Sequence, residues 1–257
     1  MPLTALSHAD LQLLTKRFDE LRHTDIITSK RVSDLIKEWE PKVKPDAKDK
    51  EETFTLVYPN GKTTGVASPR WLAHLVGLRH RAVHIGFRTE TGLIAIQRRS
   101  YNKADWPNML DMAVSGHVPQ NYQGHDITYE QGAWKEIEEE IGLIERDAIR
   151  TLKEAKLVPI GEPYFSFDID RSTNPPFYNA EARQVYGATL TGEGLARLRF
   201  TDGEVAGLTF VNPETAWDIL GKETGASGFH YSMPRFLGWV ETLPIVKPAE
   251  NWRGLGI

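Results

Sequence analysis

The sequence predicts an α+β fold: a mixed sheet sandwiched between helices, behind an N-terminal helical extension. Three observations predict it. Apolar residues first recur at helical spacing, and from about residue 53 they recur at strand spacing. Beyond that point strands and helices alternate irregularly, as in a sandwich built on a mixed sheet. The chain has 257 residues, 40% of them hydrophobic, with 7 Trp and 10 Phe, enough for one large domain with an extension.

Taken in order, the elements are these. A helix is expected from about Ser7 to Arg22, with Ser7 as its cap and Leu11, Leu14, Phe18 and Leu21 as its apolar stripe. A second starts at Ser29 or Lys30, carries Val32, Leu35, Ile36 and Trp39, and stops before Pro41. Lys42 to Glu52 is charged and reads as a solvated linker. The expected division is therefore 1–52, helical extension and linker, and 53–257, the sheet domain. Pro59-Asn60-Gly61 between two short apolar runs signals a hairpin. Ser68-Pro69 opens a helix through Leu78. Strands follow over 82–89 and 92–100, joined near Glu90-Thr91-Gly92. A helix covers Gly132 to Gly142. Later strands are expected over 156–169, 183–190 and 205–211, then a helix from Pro213 and a last one from about Met233 to Glu241.

Composition excludes several function classes. Net charge is −4 with the signs well mixed, so nothing favours nucleic acid as a partner. The absence of cysteine excludes a disulfide scaffold, a thiol nucleophile and a cysteine zinc site, and fits a reducing cytosol. No stretch approaches a signal peptide or a membrane span, so a cytoplasmic protein without a membrane partner is expected.

Chemistry concentrates in Lys135-Glu136-Ile137-Glu138-Glu139-Glu140-Ile141-Gly142-Leu143. At about 100° per residue, Glu136, Glu139 and Glu140 fall on one helical face, and Ala133, Ile137 and Ile141 on another. Gly142 is placed to end the helix. Three like charges on one face repel, and folding alone requires no such arrangement. A hard divalent cation reverses that repulsion, because it prefers carboxylate oxygens and keeps positions open for water and phosphate. The plain alternative is a solvated acidic face.

This segment resembles the second half of the Nudix box, G-x5-E-x7-R-E-U-x-E-E-x-G-U, with Lys135 where the pattern has Arg and Gly116 as its opening glycine. The upstream stretch Gln97-Arg98-Arg99-Ser100 through Asp111 is similar to the strand and loop that lead into the box in that family. From Gly116 to Lys135 is 19 positions where the pattern has 14, so five residues are inserted. The pattern's first Glu has no clear counterpart; Glu130 and Asp126 are the candidates. His117 replaces a common second glycine. The late segments around 181–190 and 202–220 also resemble the family. Several pieces resemble the subgroup associated with thiamine pyrophosphokinase, which is thought to act on thiamine-type diphosphates.

The resemblance implies a Nudix-type α/β/α sandwich and a hydrolase that cleaves the diphosphate linkage of a small-molecule substrate, either a nucleoside diphosphate derivative or a thiamine-diphosphate-like compound. It implies Mg²⁺ or Mn²⁺ held by Glu136, Glu139 and Glu140. Glu136, Glu139 and Glu204 are the catalytic candidates, with Glu139 and Glu204 competing for the role of general base. Lys135 is expected to orient a catalytic Glu. Arg98, Arg99, Lys103 and Arg183 are the candidate phosphate-binding residues; strand alternation forbids Arg98 and Arg99 from both facing the site. Two other readings stand beside this one. A sensor of the same fold would bind ligand without cleaving it. Isopentenyl-diphosphate isomerase shares the Gly-His-Val pattern at 116–118, but its proton relay resembles one that uses a cysteine, which this chain lacks.

His74, His80 and His84 with Arg79 and Arg81 invite a metal-site reading. Without a His-Glu-x-x-His pattern they read as structural, and His117 draws interest only because it adjoins Gly116. The aromatic run 164–179 reads either as a lid or as core followed by an irregular loop. The N-terminal helices are candidates for covering the site, for a homodimer interface, or for packing on the sheet.

Overall fold

The computed structural model describes residues 3–24, 27–103, 105–122, 125–144 and 157–244. Helix α1 (His8–Arg22) is capped as expected, the Ser7 hydroxyl accepting from the Asp10 amide. Helix α2 (Ser29–Val43) runs through Pro41 instead of stopping before it. Pro41 lies in the final turn, fully buried Val43 draws that turn onto the core, and left-handed Lys44 closes it. Within the segment expected as a linker, α3 (Ala47–Glu51) forms one short turn.

β1 (Thr53–Val57) and β2 (Thr63–Pro69) make the expected hairpin, and α4 (Arg70–Val76) follows it. Leu14, Phe18, Leu35 and Trp39 from the first two helices share one core with Phe54, Leu72 and Leu75. The N-terminal helices thus pack on the elements that follow them, and a hydrophobic core spans the 52/53 division.

β3 (His80–Thr89) is the central strand. Its neighbours are β4 (Ile94–Arg99), β5 (Leu110–Asp111) beyond β4, and β6 (Val114–His117). A small hairpin, β7 (Asn121–Tyr122) with β8 (His125–Asp126), occupies the stretch where the box carries its insertion. Helix α5 (Tyr129–Ile141) starts three residues before the expected Gly132. A capping box between Thr128 and Gln131 nucleates it, and left-handed Gly142 ends it.

β9 (Val158–Pro159) and β10 (Tyr164–Asp170) lead into β11 (Phe177–Leu190), six residues longer than expected. Of the two readings of the aromatic run, the structure has strand followed by an irregular loop: Tyr164–Asp170 is β10, residues 171–176 are the loop, and Phe177 opens β11. The two strands pair antiparallel from Tyr164↔Arg183 to Asp170↔Phe177, pinned to α1 by Phe18 stacking on Phe167 at 4.9 Å. β11 pairs with β3 in parallel over ten residues, which makes the sheet mixed. Helix α6 (Gly192–Arg197), unforeseen in the sequence, is a short capped turn before β12 (Val205–Val211), which pairs with β4. α7 (Pro213–Lys222) and α8 (Ser227–Glu241) finish the described chain.

Helix α8 begins six residues earlier than its apolar spacing suggested and carries Pro234 inside it. It lies on the sheet because two strand glycines leave room. A Cβ at Gly86 would stand 2.3 Å from the Phe236 ring, and one at Gly187 would stand 2.4 Å from Trp239. Burying Phe229 and Phe236 there contributes about 1.5–3 kcal/mol each. The opposite face of the sheet packs Val83, Ile85 and Phe87 against Ala133, Ile137 and Ile141 of α5. Among the described residues no helix is long and apolar enough to cross a membrane.

Candidate active site

The sheet forks at β3. Arg88 of β3 pairs with Ile94 of β4, whereas Ala82 to Ile85 pair with β6. β4 and β6 therefore diverge, and Glu140 of α5 fills the fork. Its Oε2 accepts from Gln97 Nε2 on β4 at 3.0 Å and from the Ser115 amide on β6 at 3.1 Å. Its Oε1 lies 3.0 Å from Lys103 Nζ. A backbone N–H at the edge of a strand is an obligatory donor, and the carboxylate satisfies it.

One turn earlier Glu136 sits directly over Gly116 of β6. A Cβ at residue 116 would come within 2.2 Å of the Glu136 carboxyl. Lys135 Nζ lies 3.0 Å from Glu136 Oε1 and 2.6 Å from Glu139 Oε2, the positioning contact expected of it. Glu139 is on the solvent side, its side chain 45% exposed. Glu136 and Glu140 thus face the sheet together, while Glu139 stands off toward Lys135.

Burial is the main influence on both inner carboxyls. It pushes Glu136 up to about 8 against the opposing pull of Lys135, and neighbouring Glu140 adds to the rise. Burial also raises Glu140, which Lys103 only partly offsets. Two buried carboxyls that resist ionising are a donor set suited to a divalent cation, which would favour the charged forms.

The structure distributes the expected cations unevenly. Lys103 bridges Glu140 and Glu204, which gathers Lys103, Glu140 and Glu204 into one cluster. Arg99 shares the face of Gln97, but its guanidinium is locked in protein contacts: Asp111 at 2.9 Å, Asp105 at 2.8 Å and the Trp106 carbonyl at 3.2 Å. Arg98 points to the other face, as alternation requires, and donates to the Asn108 carbonyl. Arg183 is 2% exposed and paired with Glu181 at 2.6 Å and Asp168 at 3.1 Å. Its neighbours Ala182 and Tyr186 are on the α5 side, Tyr129 donating to the Ala182 carbonyl and Tyr186 packing with Ile137, so Arg183 faces away from the glutamates. Arg99 and Arg183 are held as buried structural ion pairs, which differs from the phosphate-binding role expected of them.

Counting back from Lys135, the first Glu of the box pattern falls on Ile127, which is buried. Glu130 is exposed on the first turn of α5, and the side chain of Asp126 lies outside the described set. Sequence reading passed over Gln97, Ser115 and Asp111. Gln97 and Asp111 lie in the upstream stretch that resembles the family, whereas Ser115 carries no signal because it acts through its backbone amide at the fork. The histidines, expected to be structural, do converge in space, with His117 in place of His84. His74, His80 and His117, from α4, β3 and β6, offer ring nitrogens all within 4.8 Å of one another.

No family model matches the chain. It is 31% identical to Nudix hydrolase 3 of Arabidopsis thaliana over 180 residues, covering 68% of this chain and 21% of that protein. It is 27% identical to an uncharacterized Nudix hydrolase of Listeria monocytogenes over 154 residues, 60% of this chain and 81% of that one. An uncharacterized Nudix hydrolase of Streptomyces coelicolor is 35% identical over 92 residues, 36% of this chain and 48% of that one. The chain thus spans about a fifth of the Arabidopsis protein and about half of the Streptomyces protein. A crystal structure from Deinococcus radiodurans aligns over 72% of this chain and 99% of its own, at 22% identity and a TM-score of 0.48. The MutT protein of Methanosarcina mazei aligns over 63% and 93%, at 20% identity and a TM-score of 0.35.

Proposed function

We propose that this chain, which belongs to the Nudix superfamily, is a divalent-cation-dependent hydrolase of a diphosphate linkage in a small-molecule substrate. The observation that carries this reading is the seating of Glu136 and Glu140, two buried carboxyls on successive turns of α5 with proton affinities raised by burial.

Glu136, Glu139 and Glu140 are the residues that would hold Mg²⁺ or Mn²⁺. When bound, such an ion offsets diphosphate charge and lowers the pKa of a water. Lys135 positions Glu136 and Glu139 relative to each other. Lys103, paired with Glu140 and Glu204, supplies in this reading the counter-charge for a phosphate. In this reading Glu139 or Glu204, both exposed, accepts the proton of the attacking water. Water adds to one phosphorus, the P–O bond to the bridging oxygen breaks, and the leaving phosphate takes the electron pair with its substituent. The substrate group we favour is a nucleoside diphosphate derivative or a thiamine-diphosphate-like compound.

A second reading, a sensor without turnover, is favoured by Ile127 at the position of the first box Glu. Phosphate release with Mg²⁺ or Mn²⁺ over a panel of such diphosphates decides between them, run on the unmodified chain, Glu139→Gln and Glu140→Gln. The enzyme shows turnover that Glu140→Gln loses. The sensor binds ligand with no turnover in any of the three.

A further inference from the structure

We propose that His74, His80, His117 and Glu181 form a second metal site, separate from the glutamate helix, that takes a divalent transition ion of the zinc class. The four residues come from α4, β3, β6 and β11. Gly116 faces Glu136 on the α5 side of the sheet, so its neighbour His117 faces the other side. There His117 Nε2 stands 3.1 Å from Glu181 Oε1, and His80 Nε2 stands 3.8 Å from the same oxygen. Three imidazoles and a carboxylate make the mixed nitrogen and oxygen set that zinc-like ions accept and that Mg²⁺ does not favour.

The hydrogen bonds around the cluster argue for a ligand. His74 Nδ1 lies 3.1 Å from the Tyr178 carbonyl, and His80 Nδ1 lies 2.8 Å from the Leu78 carbonyl. A carbonyl only accepts, so each Nδ1 carries the proton and each Nε2 keeps a bare lone pair. Such outer carbonyl contacts fix the tautomer of metal-binding histidines. The two Nε2 atoms are buried, His74 being 2% and His80 0% exposed, and neither has a hydrogen-bond partner. An apolar core would leave two orphaned acceptors here, each with its full desolvation penalty.

The surroundings hold the rings for this task. Phe54 stacks on His80 at 4.6 Å and on His117 at 5.0 Å, and Phe177 stacks on His74 at 4.1 Å. Arg183 holds the Glu181 carboxylate from behind, its Nε 2.6 Å from Glu181 Oε2, which leaves Oε1 turned toward the histidines. His117, the least buried of the three, gives the site an opening.

The test titrates the metal-stripped full chain with Co²⁺ and Zn²⁺ in excess Mg²⁺, reading bound metal and the visible d–d absorption of cobalt. The expected result is one equivalent of cobalt with the intense bands of a four-coordinate nitrogen-rich site. Affinity should fall by about 100-fold or more in His117→Asn. In Glu140→Gln cobalt binding is retained while Mg²⁺-dependent turnover is lost, which separates this site from the glutamates. In case His117→Asn fails to fold, histidine ¹⁵N resonances of the unmodified chain give a second readout, with one equivalent of Zn²⁺ shifting three Nε2 signals. Cobalt binding that His117→Asn leaves unchanged, weak octahedral bands only, or Nε2 signals that ignore zinc would reduce the cluster to packed aromatic core and overturn the proposal.

Discussion

Gly116 lies so close beneath Glu136 that a methyl group at residue 116 would stand 2.2 Å from the Glu136 carboxyl. The opening glycine of the box is a matter of space, since it is what lets α5 press a carboxyl onto β6. Gly116→Ala is expected to lower stability by about 1–3 kcal/mol, the usual cost of overpacking, and to abolish Mg²⁺-dependent phosphate release. A urea melt and an activity assay check both; an alanine variant with normal values for each would show that Glu136 is not seated there.

Glu140 is held by Gln97, Ser115 and Lys103 at the fork. Glu140→Gln keeps the shape and removes the charge. Turnover should drop by about 100-fold or more, comparable to the larger losses seen when even outer contacts of a metal site are changed. The melting temperature should move little, because burial already disfavours the ionised form. Full turnover would remove the cation-binding role from this residue.

Arg99 joins β4 to Asp105 of the following loop and to Asp111 of β5. Breaking a buried pair by deleting one partner leaves uncompensated charge. Arg99→Met is expected to destabilise the chain by about 3–5 kcal/mol in denaturant titrations. A residue that merely held phosphate would instead raise KM without shifting the denaturation midpoint.

His84 is buried against Ser232 at 2.6 Å, and burial, then Arg183, depresses it to about 4. Its folded value lies below its unfolded one. Its contribution is therefore fully present above pH 6.5 and lost as pH falls toward about 4. His84→Gln should flatten part of the fall in melting temperature between those values. An unaltered pH profile would contradict the assignment.

Phe54, Leu72 and Leu75 share a core with Leu14, Leu35 and Trp39. A chain shortened to residues 53–257 would expose that apolar surface. It is expected to aggregate or to melt well below the full chain in light scattering and calorimetry. If it folds with an unchanged melting temperature, the extension is an independent appendage.

Much of this architecture was legible in the chain. Ser7 and Gly142 mark helix ends by capping chemistry, and Pro59-Asn60-Gly61 marks a turn by backbone conformation. Both are local effects that short segments carry with them. The start of α5 was written in Thr128 and Gln131 as well, although the apolar spacing pointed to Gly132. Pro41 misled because a proline in a last turn is tolerated when a buried neighbour such as Val43 holds the turn in place.

The sequence by itself determined that Glu136, Glu139 and Glu140 share one helix, since 3.6 residues per turn fixes their angular relation. It could not determine that Glu139 stands outside with Lys135 while its two neighbours are buried, or that Arg99 and Arg183 are consumed by Asp111, Asp168 and Glu181. Nor could it bring His74, His80 and His117 together from a helix and two strands. Those outcomes depend on which strands pair and where the sheet forks. Pairing is a property of long-range contacts whose partners are far apart in the chain, so no local period or spacing encodes it.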